Sequence, residues 1–105
     1  MARRVVDLHP EAIVEGREAR NWYRERSHDV EERFRVALRR AIREVREVPE
    51  RWPADGDGLR SCRLAGFPYR LIYWSEGEYS LVVAIAHSKR RPGYWKVRLR
   101  RPISR

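Results

Sequence analysis

Tyr69-Arg70-Leu71-Ile72-Tyr73-Trp74, then Ser75-Glu76-Gly77-Glu78, then Tyr79-Ser80-Leu81-Val82-Val83-Ala84-Ile85-Ala86-His87: this stretch decides the fold. Its first part is aromatic and β-branched, its middle is made of turn formers, and its last part holds a nearly continuous apolar run. That pattern predicts a β-hairpin. The unbroken run from Leu81 to Ala86 suits a central strand buried on both faces. A shorter strand signal, residues 59–64, precedes the hairpin. Before it, residues 50–58 (Glu-Arg-Trp-Pro-Ala-Asp-Gly-Asp-Gly) form a loop by composition.

Working towards the N-terminus, the period changes from two to three and four. Val30, Phe34, Ala37, Leu38, Ala41, Ile42, Val45 and Val48 recur at helical spacing. Arginines and Glu31, Glu32, Glu44 and Glu47 fill the other side. Asp29, with Glu32 three residues on, reads as a capping-box-like start, and Pro49 stops the helix. An earlier helix is predicted from Pro10 to about Arg26, with Ala12, Ile13, Gly16, Ala19, Trp22 and Tyr23 on one face. Proline suits its first turn because the missing N–H had no partner there. Residues 4–8 read as a short strand. The order is β-α-α-β-β-β, which predicts an α+β fold: an N-terminal strand, then an antiparallel helical hairpin packed on an antiparallel β-sheet.

A chain of 105 residues with 42% hydrophobic content is expected to form one domain, residues 1–105. The single cysteine, Cys62, allows no intrachain disulfide and reads as a small buried apolar residue. No apolar run approaches a membrane span and the N-terminus lacks a signal-peptide core, so a cytoplasmic protein without membrane partners is expected. The charge is lopsided. Residues 79–105 contain no acid and eight of the 24 basic residues, and so supply +8 of the net +9. A field of that sign draws polyanions or an acidic protein. Residues 96–105 read as a basic tail, either flexible or ordered by a partner.

His9, His28 and His87 lie on different elements without ligand spacing, and Cys62 has no CxxC partner, so no metal or other cofactor is expected. The remaining chemistry is cationic. Arg63 and Arg70 fall on antiparallel neighbours and could share a face. Arg90 and Arg91 follow the last strand, and Tyr94 comes soon after. Attack by a 2′-OH on its phosphate needs a base, an acid and cations around the developing charge, and arginine forks match phosphate oxygens. The alternative is structural: Tyr94 and Trp95 pack under the sheet edge and the arginines are solvated.

His9-Pro10-Glu11-Ala12, Trp22-Tyr23, Val48-Pro49, Arg60, Phe67-Pro68-Tyr69-Arg70-Leu71-Ile72-Tyr73 and Ala84-Ile85-Ala86-His87-Ser88-Lys89-Arg90-Arg91-Pro92-Gly93-Tyr94-Trp95 together resemble the RelE/ParE superfamily of type II toxin–antitoxin toxins. The resemblance spans nearly the whole chain. It implies a bacterial growth-inhibiting toxin, of the kind linked to plasmid stabilization, held inactive by a cognate antitoxin that binds operator DNA on behalf of both. It implies one of two activities: metal-independent endoribonuclease cleavage of mRNA on the ribosome, or poisoning of DNA gyrase. A toxin that has lost activity and only binds its antitoxin is a third possibility. Carried over by position, Arg63, Arg70, Arg90 (or Arg91) and Tyr94 would be the catalytic set. Ser61 stands where a further basic residue is expected. His87, Lys89, Arg91, Trp95 and Lys96 are the candidates for contact with nucleic acid or a protein partner.

Overall fold

A computed structural model describes residues 3–100. Four strands form one sheet in the order β1-β4-β3-β2: β1 Val5–Leu8, β2 Arg60–Arg63, β3 Tyr69–Glu76 and β4 Tyr79–His87. The hairpin is present, and β3 runs two residues beyond its sequence signal. Gly77, at φ +60, takes the first position of the short loop between Glu76 and Tyr79, where a II′ turn requires glycine. β4 is interior, and Val82, Val83, Ala84, Ile85 and Ala86 are buried. β2, β3 and β4 are mutually antiparallel. The sequence left the pairing of β1 open. β1 pairs parallel to β4, because the helical hairpin carries the chain back across the sheet between them.

Helices α1 (Pro10–Arg24) and α2 (His28–Glu47) make that hairpin. His9 caps α1 through its Nδ1, which accepts from the Glu11 amide at 3.0 Å. α2 begins earlier than its sequence signal. Ser27, in extended backbone, is the cap, and its Oγ accepts from the Val30 amide at 3.2 Å. Asp29 instead lies in the first turn, where its charge favours the helix dipole. The buried face of α1 is Ala12, Gly16 and Ala19; Ile13 and Trp22, expected on it, are exposed. In α2, Phe34, Ala41 and Val45 are buried, while Val48 ends exposed at the C-cap. Glu31, expected in solvent, is also buried. Arg24 donates to it through Nε and Nη2 at 3.3 and 3.2 Å, with Arg20 and His28 at 3.6 Å. The Arg24 hydrogen bond leads the causes that hold its carboxyl below the ordinary range. This one acid thus ties the end of α1 to the start of α2.

The sheet carries a core on each face. Cross-strand partners share a face. Cys62, Leu71 and Ile85 therefore look towards the helices and join Phe34, Ala41 and Val45. Burial pushes the Cys62 thiol up to about 11, so it stays protonated in that core. Tyr73 is fully buried there and donates its hydroxyl to the Pro49 carbonyl at 2.7 Å, anchoring the short 3-10 turn Pro49–Arg51. On the other face lie Ile72, Val83, Ala84 and Ala86 with Leu59, packed against Tyr94, Trp95 and Leu99. The expected basic tail is thus structured at its start: Lys96–Arg100 is a helix, α3, that roofs this second face. Residues 101–105 of that tail lie outside the described residues.

Gly16 lets α1 approach β4 closely, since a Cβ there would sit 3.1 Å from Cδ1 of Ile85. Gly16→Val should therefore lower unfolding free energy by about 1–3 kcal/mol through overpacking, read as a lower denaturation midpoint with an unchanged slope.

Candidate functional site

β1 stops at Leu8, opposite Val82, and the chain turns into α1, while β4 continues to His87. β4 also bulges where β1 leaves it. Ile72 faces Ala84 and Tyr73 faces Val82, so Val83 is an extra residue. The backbone groups past that point are served by side chains. Glu15, one and a half turns into α1, accepts from the Ile85 amide at 2.8 Å. Arg98 of α3 donates to the Val83 carbonyl at 2.7 Å. The two side chains meet as a fork, with Arg98 Nη1 and Nη2 at 3.1 and 2.7 Å from Glu15 Oε1 and Oε2. Tyr94 donates its hydroxyl to the same carboxylate at 2.7 Å, and Arg90 adds a looser contact at 3.8 Å.

Burial alone would raise the Glu15 pKa. The hydrogen bonds from Arg98, Tyr94 and Ile85 outweigh it and hold the carboxyl below its ordinary value. Burial, followed by the bond to Glu15, drives the Tyr94 phenol well above its usual range. Burial pulls Arg98 down, but Glu15 wins and raises it further. The Arg90 guanidinium lies 3.8 Å from the Tyr94 ring centroid, a cation–π contact. Tyr94 is thus a fixed strut between helix, sheet and basic loop. Its hydroxyl proton is held by the half-buried Glu15 carboxylate.

The cations singled out in the sequence fall into three places. Arg63 and Arg70 are direct cross-strand partners on the face opposite the helices, both exposed. With Ser61, Trp52 and Pro53 they line a cleft of about 390 Å³. Ser61 accepts weakly from Arg70, at 3.4 Å. Arg90 and Tyr94 gather around Glu15. His87 lies on the helix side, edge-on to Tyr69, and with Lys89 and Arg90 lines a groove against α1. Arg91 is exposed, Lys96 pairs with Asp57 at 3.2 Å, and Trp95 packs half-buried on the second core.

Sequence reasoning missed Glu15 and Arg98. Glu15 was legible as an anomaly: it stands three residues after Ala12 and four before Ala19, on the buried stripe of α1. An acid at such a place requires a buried donor set. Arg98 carried no such signal among its basic neighbours.

Glu15→Ala should orphan Arg98 and lower stability by roughly 3 kcal/mol. Tryptic cleavage after Arg98 should accelerate at the same time. The wild-type contribution has a defined sign with pH. The folded pKa lies below the unfolded one, so the stabilisation is complete above the unfolded carboxylate range and is lost as pH falls through the lower folded value. In acid titrations followed by near-UV circular dichroism, Glu15→Gln should flatten that loss.

No family model matches the chain, and no curated protein matches its sequence. Among solved structures, a chain of "Chromosomal ParDE TA system from P. aeruginosa" superposes with a TM-score of 0.70. The match covers 82% of this chain and 97% of that one, at 11% sequence identity. The likeness is one of backbone rather than of side chains. The chain therefore has the α+β fold of that ParDE-system chain.

Proposed function

We propose that this protein is the toxin of a type II toxin–antitoxin pair, a growth inhibitor neutralised by a cognate antitoxin, and that it acts in the cytoplasm by binding DNA gyrase rather than by cutting RNA. The fold shared with a ParDE-system chain supports the toxin–antitoxin part. The strongly basic surface suits an acidic antitoxin segment. Operator DNA would be reached only through that antitoxin. No described helix is long and apolar enough to cross a membrane.

One observation carries the choice of mechanism: the Tyr94 hydroxyl is spent on Glu15 at 2.7 Å. A general acid must release its proton near the working pH, and burial beside a carboxylate opposes that release. Of the cations implied for cleavage, Arg90 is stacked on Tyr94 while Arg63 and Arg70 stand on β2 and β3, and Ser61 stands where the resemblance implies a further basic residue. A second reading, cleavage of ribosome-bound mRNA, draws on Arg63 and Arg70. Like charges directly opposite destabilise a sheet, and among the described residues neither arginine has a carboxylate within 4 Å, which suits a phosphate from outside.

Expression without antitoxin distinguishes these readings. The expected result is growth arrest with DNA breaks, an SOS response and blocked supercoiling, and with no new mRNA ends on translating ribosomes. Toxicity should survive Tyr94→Phe combined with Arg70→Ala. New mRNA ends abolished by those substitutions would establish cleavage instead, and unaffected growth would leave an antitoxin-binding module without toxicity.

A further inference from the structure

Three segments far apart in sequence meet in a groove of about 510 Å³ that the proposed toxin chemistry leaves unused: Trp22-Tyr23 on α1, Pro68-Tyr69 at the start of β3, and His87 to Arg90 after β4. The volume is that of a small-molecule site. One end is aromatic and apolar. Trp22 is 51% exposed although the helix periodicity puts it on the buried face, and Tyr23, Ala19 and Tyr69 continue the wall. The other end is cationic. Lys89 is exposed, with no carboxylate within 4 Å among the described residues. Arg90 is bound to Glu15 only at 3.8 Å, because Arg98 already holds that carboxylate at 2.7 Å, so Arg90 retains donors for an anion.

Two polar groups refine the fit. His87 Nδ1 accepts from the Lys89 amide at 3.0 Å, so in the neutral ring the proton is on Nε2, and the nitrogen left for a ligand is a donor. Glu18, exposed on the same wall, is an acceptor suited to an exocyclic amine. The groove lies at the ends of β3 and β4 on the helix side. There the Ser88 amide is already paired with the Pro68 carbonyl, so an extended peptide finds no ladder to join. A planar ring to lie on aromatic walls, an amine for Glu18 and an anion for Lys89 and Arg90 make one ligand.

We infer that this groove binds a nucleoside phosphate whose base carries an amino group, with the ring on the Trp22–Tyr69 wall and the phosphate on Lys89 and Arg90. This goes beyond the toxin reading and is tested on purified protein, so either can fail without the other. The chemistry is shared by a free nucleotide and by one unit of a single strand.

Titrations followed by tryptophan fluorescence and calorimetry would use 5′-AMP, 5′-CMP, 5′-UMP, adenosine, inorganic phosphate, a trinucleotide and an acidic peptide. AMP and CMP should saturate, and UMP, adenosine and phosphate should each bind more weakly. Trp22→Ala and Lys89→Ala should each weaken AMP binding about tenfold, while thermal melting confirms that both still fold. Equal affinity for AMP and the trinucleotide identifies a free nucleotide as the source; a much tighter trinucleotide identifies a strand. The inference is overturned if no nucleotide saturates at millimolar concentration, if adenosine equals AMP, if both variants bind AMP as the wild type does, or if the acidic peptide alone occupies the groove.

Discussion

A sheet strand that outlasts its neighbour leaves backbone groups without partners, and this molecule answers that constraint with a single carboxylate. β1 ends at Leu8, β4 goes on, and Glu15 takes up the Ile85 amide while its partner Arg98 takes up the bulged Val83 carbonyl. Unpaired backbone groups at this depth would each cost on the order of 1–3 kcal/mol. An isolated carboxylate at the same depth would cost more. Together they are tolerable because every acceptor site on Glu15 is used: two by the Arg98 fork, one by Ile85 and one by Tyr94. The arrangement joins α1, β4, the basic loop and α3 into one unit.

This pairing also decides what the carboxy-terminal charge can do. The excess of arginine is not one continuous field. Arg98 is consumed internally, Lys96 is matched by Asp57, and Arg90 is shared between Glu15 and the Tyr94 ring. Arg63 and Arg70 remain exposed on the face away from the helices and Lys89 in the groove on the helix side, and Arg91 is exposed as well. A cationic surface divided in this way can hold two different anionic partners. That division supports the proposed reading of binding over cleavage.

Much of the architecture was readable because it follows from local period and punctuation. The hairpin at Gly77 and the interior strand with Leu81 to Ala86 stand as their residues indicate, and Pro10 and Pro49 bracket the helices. Errors came at a helix start with two candidate caps and where side chains respond to more than their own helix. Ser27 displaced Asp29 as cap because its hydroxyl reaches the Val30 amide from extended backbone. Glu31 went inside because Arg24 and Arg20 of the other helix could neutralise it. Trp22 stayed outside because α1 ends where the groove opens, beyond the part of the helix that packs on β4. Within the candidate site, the shared face of Arg63 and Arg70 was legible, since alternation fixes it once the strands pair, while the register that sets them directly opposite was not.

The sequence by itself determined the element order, the buried strand and the places where cations concentrate, because these depend on residues within a few positions of one another. Only the tertiary structure decided that β1 runs parallel to β4, that residues 96–100 form a roof rather than a loose tail, and which arginines stay free. The physical reason is range. Glu15 and Arg98 are 83 positions apart, and nothing local distinguishes an arginine that will meet a buried acid from one that will meet water.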